Sequence, residues 1–182
     1  MDAIETVAIL GAGEVGGAWA LLAALARCTV RLHDPALDTL EQTASDMRDR
    51  VDLATGGGAL TRSERQRVLD GVFFTPDLDE AVTAADLVVD AAMAPGGDPW
   101  PTLADSVRAS AAVAAAGLHT PAQLAARLPY PGRVVALRLV RVPGLLHRAE
   151  VSAGPRTTAH TLARVRHLVD RINRAAGFPG RG

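Results

Sequence analysis

The sequence predicts an α/β domain built on a doubly wound, mostly parallel sheet. Three observations carry this. Short apolar runs alternate with helical segments along 182 residues, the pattern of strands wound with crossover helices. The first run, Val7-Ala8-Ile9-Leu10, ends in Gly11-Ala12-Gly13-Glu14-Val15-Gly16 and leads into an Ala/Leu-rich helical stretch. A second run then ends at an acid, Asp34, 23 residues after Gly11. The length and a hydrophobic content of 48% suit one domain with a sizeable core. Aromatics are only 3%, so that core must be made of Ala, Val and Leu.

The expected elements follow in order. A strand covers 6–10, a helix 14–27 and a strand 29–33. Residues 36–53 are helical, because Leu37, Leu40, Met47 and Val51 recur at helical spacing, and Gly56-Gly57-Gly58 ends that helix. Thr61 and Glu64 form a capping box before a short helix over 63–70. Residues 72–74 make a strand, 78–84 a short helix and 87–92 a buried strand. The Pro/Gly-rich stretch 93–101 is a loop at the carboxyl end of that strand. A helix over 103–110 and an almost all-Ala strand over 111–116 come next. Thr120-Pro121 starts a further helix, with Pro in its first turn. Strands at 133–140 and 149–153 lead to a long amphipathic helix over 157–176. Its Leu162, Val165, Leu168, Val169 and Ile172 share one face, and Gly177 ends it. The expected domain spans 1–177, with 178–182 a loose tail.

The glycine turn has a specific chemistry. Gly11 permits the tight exit from the strand, Gly13 lets backbone approach a pyrophosphate, and Gly16 lets the helix pack closely on the sheet. The helix then starts at the phosphate and offers it N–H groups and a positive dipole end. Strand, glycine turn, helix, strand and acid together form a Rossmann unit for a dinucleotide. The expected cofactor contacts are Gly11, Ala12, Gly13, Glu14, Val15 and Gly16, with Ala92 at the end of the fourth strand. Asp34 is placed to accept hydrogen bonds from the adenosine ribose. A carboxylate there repels a 2′-phosphate, so the expected cofactor is NAD rather than NADP.

Composition excludes several other classes. Net charge is −1 and the isoelectric point about 6.5, so nothing points to nucleic acid or an anionic membrane. All 19 basic residues are Arg, which leaves no lysine for a Schiff base or a P-loop. Cys28 is the single cysteine; it forms no intramolecular disulfide and is expected to be buried. No apolar run reaches the roughly 18 residues of a membrane span. The chain runs straight into its first strand with no signal peptide, so a cytoplasmic protein is expected. No metal constellation is visible: His160 and His167 stand seven apart on the polar face of the last helix, not at metal-binding spacing. No G-x-S-x-G supports a hydrolase triad.

Over residues 5–176 the chain resembles the NAD-binding domain of the 3-hydroxyacyl-CoA dehydrogenase family. The resemblance rests on VAILGAGEVGGAWA followed by Leu32-His33-Asp34-Pro35, and on a long two-helix insertion ending in LTRSERQRVLDGVFFTPDLDEAVTAADLVVDAA. It rests also on the order helix, RVVALRL, apolar loop, AEVSAG, long helix. The resemblance implies a Rossmann domain that binds NAD, a His–Glu proton-transfer pair, a Ser that holds the substrate oxygen, and a helical C-terminal domain. The Glu matches Glu150. The His position is Arg138, the Ser-bearing segment is Ala114-Ala115-Ala116-Gly117-Leu118, and the C-terminal domain has no counterpart in these residues. Arginine stays protonated near neutral pH and cannot act as a base. Loss of a general base alone costs about 10²–10⁴ in rate.

Glu150, Arg138 and His119 are therefore the candidates for whatever chemistry remains. Arg138 either clamps an anionic substrate or forms a salt bridge with Glu150. His119, at a strand-to-helix turn facing the ligand edge, is either a displaced acid–base residue or a polar residue at a helix start. His147, three before Glu150, is a further candidate. Trp100 either covers the nicotinamide pocket or anchors its loop. One expected function is a diverged NAD-dependent oxidoreductase acting on a small hydroxy, keto or related substrate. The alternatives are a catalytically inert Rossmann protein serving as nucleotide sensor, scaffold or subunit of a partner enzyme, and a dehydrogenase half completed by another chain. A homodimer or partner contact is expected on the surface that a C-terminal domain would cover. The stripe of the last helix is the contact, unless it packs on the sheet.

Overall fold

A computed structural model describes residues 2–93, 100–141 and 147–178. Strands β1 (Thr6–Leu10), β2 (Thr29–His33), β3 (Val72–Thr75), β4 (Leu87–Asp90), β5 (Ala112–Ala115), β6 (Val134–Val140) and β7 (Arg148–Ala153) form one sheet. The helices are α1 (Glu14–Leu25), α2 (Leu37–Gly56), α3 (Arg62–Asp70), α4 (Leu78–Val82), α5 (Trp100–Ser106), α6 (Pro121–Arg127) and α7 (Ala159–Ala175). The strand order is β3-β2-β1-β4-β5-β6-β7. Strands β1 to β6 run parallel, and β7 returns antiparallel to β6. The fold is the expected Rossmann arrangement, with the chain reversing its winding direction between β1 and β4. Ligands of such sheets bind outside the carboxyl ends at that switch point.

Each face of the sheet buries its own core. On one side Trp19, Leu22 and Leu40 pack with Val165, Leu168 and Ile172. On the other, Val82, Trp100, Leu103 and Leu124 cover Ala8, Val88 and Val113. The scarcity of aromatics is met by close approach. Strand β5 is Ala-Val-Ala-Ala and fully buried, so its small side chains let helices lie near the sheet.

Several expected boundaries move. Helix α1 stops at Leu25 because Arg27 turns left-handed at φ 65, and the Arg27 and Cys28 N–H groups bond back to the Ala24 and Ala23 carbonyls. Helix α5 begins at Trp100, not 103, and ends at Ser106. The Pro-rich composition there suggested loop, yet Pro101 sits in the first helical turn, where its missing N–H costs nothing. Most of the expected 93–101 loop, residues 94–99, lies outside the described residues, as does the tail from 179 onward. The stripe of α7 does not form a free contact surface: Val165, Leu168, Val169 and Ile172 are buried on the sheet. Asn173 reinforces this packing by bonding both the N–H and the carbonyl of Ala149 in β7.

The amino end of the sheet is closed by a single acid. Asp86 Oδ2 accepts the N–H groups of Glu5 and Thr6, each at 3.0 Å, and Oδ1 accepts from Arg108 at 2.5 Å. Burial works to raise the carboxyl pKa, but these donors outweigh it and hold the group below the usual carboxylate range.

Candidate functional site

The glycine turn is built so that each glycine answers a contact. Gly11 has φ +95, and a Cβ on it would lie 2.9 Å from the Ala92 Cα. A Cβ on Gly16 would lie 1.8 Å from the Gly11 carbonyl oxygen. Gly13 differs: a Cβ there would meet nothing within 4 Å, so it faces open space at the start of α1. No side chain caps that helix. Its first N–H groups therefore stand ready for an anion.

The turn is also pinned from outside. The Gly11 N–H donates to the His33 carbonyl at 2.8 Å. Asp34 accepts the Ala12 N–H on Oδ2 and the Ala36 N–H on Oδ1, both at 3.0 Å. The Thr43 hydroxyl, on α2, donates to the Ala12 carbonyl. Asp34 is thus half-buried and fixed beside the turn, and each carboxylate oxygen keeps a lone pair for a ribose hydroxyl. Val15 is half-buried against the core, whereas the Glu14 side chain is exposed, 3.8 Å from Arg141. A groove of about 680 Å³ runs from Gly13 between α1 and α2, past Asp38, Gln42 and Arg50. It meets the turn only at its end and leads away from the β1/β4 switch point.

At that switch point three strand ends converge. Ala92 is half-buried and its carbonyl accepts the Leu118 N–H at 2.8 Å. A Cβ on Gly117 would lie 2.3 Å from the same carbonyl oxygen. Between them, at the end of β4, Asp90 is buried with a side-chain exposure of 3%. Its Oδ2 accepts the Trp100 indole N–H at 3.0 Å and lies 2.7 Å from His119 Nδ1. Trp100 is fully buried, so it anchors the chain rather than covering an open pocket. Ala116, half-buried, donates its N–H to the Asp90 carbonyl at 2.8 Å.

Arg138 and Glu150 stand apart from this cluster. They face each other across the β6–β7 register, and Arg138 donates to Glu150 Oε2 at 2.8 Å. Leu137 and Leu139 point into the core, so alternation sends Arg138 outward, where its side chain is 75% exposed. Arg138 is thus salt-bridged to Glu150 at an exposed position on the sheet. Arg141 lies near Glu14, and His147 is half-buried just before β7. His33 does not reach outward. Its Nδ1 lies 3.3 Å from the Thr75 carbonyl and burial pushes its pKa down. Cys28 is buried and free, and burial pushes the thiol pKa up, away from reactivity.

Sequence reasoning overlooked Asp90 and Thr43. Asp90 carried a signal nonetheless: it is a charge that ends an otherwise apolar strand at the sheet's ligand edge. Thr43 carried none, because its contact with Ala12 spans 31 residues. Among the described residues, no group of three or more His, Cys, Asp or Glu is placed to hold a metal ion. None of the described helices is long and apolar enough to cross a membrane.

Residues 6–176 match the family model described as 3-hydroxyacyl-CoA dehydrogenase, NAD binding domain. The chain belongs to this family. The turn fits the family's cofactor: the cradle at Gly13 is open, the helix end is uncapped, and Asp34 is in place. Among curated proteins, the chain is 27% identical over 173 residues to 5-formyl-3-hydroxy-2-methylpyridine 4-carboxylate 5-dehydrogenase of Mesorhizobium japonicum, covering 93% of this chain and 55% of that enzyme. It is 31% identical over 90 residues to 3-hydroxybutyryl-CoA dehydrogenase of Mycobacterium tuberculosis, covering 50% of this chain and 31% of the relative. In fold it superposes on the 3-hydroxybutyryl-CoA dehydrogenase of Escherichia coli K12 with a TM-score of 0.84 at 23% identity, over 95% of this chain and 37% of that one. The chain therefore spans about half the length of the first of these relatives or less.

Proposed function

We propose that this NAD-binding domain serves an NAD-dependent oxidoreductase acting on a small hydroxy or keto compound. The observation that carries the reading is the pinned glycine turn, with Gly13 open, α1 uncapped and Asp34 fixed beside it. In this reading the N–H groups at the start of α1 hold the pyrophosphate, Asp34 holds the adenosine ribose, and Ala92 lies against the nicotinamide half. NAD, once bound, supplies the hydride acceptor. Its substrate reaches the carboxyl edge beside Met93 and Leu118, apolar side chains that are both exposed. These two residues also offer a surface for a second copy or a helical partner domain. The reading carries a cytoplasmic location, where the dinucleotide is supplied.

Calorimetric titration with NAD, NADH and NADP tests it. NAD binds more tightly than NADP, and Asp34→Arg weakens NAD at least about tenfold while narrowing that preference, through loss of the ribose acceptor and gain of a cation. Unchanged NAD affinity in the variant contradicts the ribose assignment. A second reading, an inert nucleotide sensor or scaffold, is favoured by the Arg138–Glu150 pair, which fills the positions where the resemblance places a His–Glu pair. It requires NAD binding with no turnover.

A further inference from the structure

The sheet's carboxyl edge holds a His–carboxylate pair with the geometry of an acid–base group. Asp90 is buried and must be satisfied by donors. Trp100 can only donate, so Asp90 Oδ2 is an acceptor. The short 2.7 Å contact from the same oxygen then places a proton on His119 Nδ1. In the neutral ring this leaves Nε2 as the free lone pair, and Nε2 makes no hydrogen bond to any described residue. The imidazole is 18% exposed, so it is held mostly by protein yet reaches solvent.

Backbone geometry fixes the ring from both ends. Gly117 presses against the Ala92 carbonyl, and Leu118 bonds to it. Thr120, next after His119, opens α6 with a reciprocal capping box to Gln123. His119 therefore projects from a three-residue turn anchored to β4 before it and to α6 after it. That turn stands one strand from the β1/β4 switch point. Arg138 and Glu150, by contrast, offer no base: one group is a permanent cation and the other is its counter-ion.

We propose that His119 is the acid–base residue of this domain and that Asp90 is its positioning residue. The proposal rests on the NAD reading above. In the oxidising direction His119 Nε2 takes the hydroxyl proton of a small secondary alcohol. The substrate C–H bond breaks with its electron pair leaving as hydride to NAD, the O–H bond breaks, and the C=O bond forms. In the reducing direction Nε2 returns the proton to the carbonyl oxygen as NADH supplies hydride to carbon. The substrate class is a small hydroxy or keto compound with an apolar flank that lies on Met93 and Leu118.

The test uses the full chain, its His119→Gln variant and its Asp90→Asn variant. Nitrogen NMR of the imidazoles at neutral pH shows Nδ1 of His119 protonated and Nε2 bare in the wild type, with the tautomer preference lost in Asp90→Asn. Diethylpyrocarbonate acylates His119 in the free protein, and NADH slows that acylation about tenfold while leaving the exposed His160 and His167 unaffected. NADH oxidation is then followed with diacetyl, acetoacetate and acetoacetyl-CoA. His119→Gln loses about 10²-fold or more in kcat with NADH affinity kept within twofold. A bare Nδ1, acylation indifferent to NADH, an unchanged kcat in His119→Gln, or no turnover by the wild type with any of the three carbonyls overturns the proposal. If calorimetry shows that the wild type binds no dinucleotide, the cofactor reading falls and this proposal falls with it. If NADH binds and only the His119 results fail, the cofactor reading stands and the acid–base assignment alone is overturned.

Discussion

Two hydrogen-bonded side-chain pairs stand near the carboxyl end of the sheet, and they differ in almost every physical respect. Arg138–Glu150 bridges β6 and β7 at the sheet's outer edge, with side chains 75% and 30% exposed. Asp90–His119 lies beside the central switch point, with side chains 3% and 18% exposed. Solvent screens the outer pair, so it contributes little. The inner pair rests on Asp90, whose carboxylate is buried where an unmet hydrogen bond is costly. The pair at the positions where the family resemblance places a His–Glu pair is thus the exposed one, and the pair near the centre of the sheet is the buried one.

Substitutions can sharpen or break this contrast, beginning with the most damaging. Gly16→Ala places a Cβ 1.8 Å from the Gly11 carbonyl oxygen, which is backbone and cannot swing aside. It should cost more than about 4 kcal/mol in urea unfolding, beyond an ordinary overpacked site. A loss under about 1 kcal/mol would show the turn to be far more plastic than its contacts suggest. Asp90→Ala removes the carboxylate that accepts the buried Trp100 indole N–H and pairs with His119 Nδ1. A loss of about 2–3 kcal/mol is expected from the same measurement, and a neutral result would erase the distinction between the two pairs.

At the opposite end of the same strand, Asp86 extends the comparison to pH. Its folded pKa is depressed, so its stabilisation is present above the ordinary aspartate range and fades as pH falls through the lower folded value. Unfolding of Asp86→Asn should therefore be easier than wild type at neutral pH, with the two converging in acid. A constant gap at all pH values would rule out the carboxylate as the source. The smallest effect belongs to Arg138→Ala, expected within about 0.5 kcal/mol of wild type because the pair is screened. A loss above about 2 kcal/mol would mean that the outer pair carries real weight.

Much of this architecture was legible because local chemistry dictates it. The β1–turn–α1–β2 unit, the capping boxes at Thr61 and Thr120, and the stripe of α7 each follow from residues within a few positions of one another. The site was legible in part. The glycines and Asp34 announce themselves by spacing, and His119 by its place at a strand-to-helix turn. The partners that give those residues their setting come from distant segments: Thr43 reaches the turn from α2, and Asp90 meets His119 across 29 residues. Helix α5 was misjudged at its start because proline suits both a loop and a first helical turn.

By itself the sequence determined the order of strands and helices, the dinucleotide turn and the arginine that stands where the family resemblance places a His. Apolar periodicity, glycine placement and side-chain pKa are properties of short stretches or single residues. Tertiary structure decided which way the remaining polar groups point. Strand alternation turned Arg138 outward to Glu150, sheet packing consumed the stripe of α7, and the convergence of β4, α5 and the β5–α6 turn set Trp100 and His119 on Asp90. Those outcomes depend on registers and crossings between segments far apart in the chain, which no local pattern encodes.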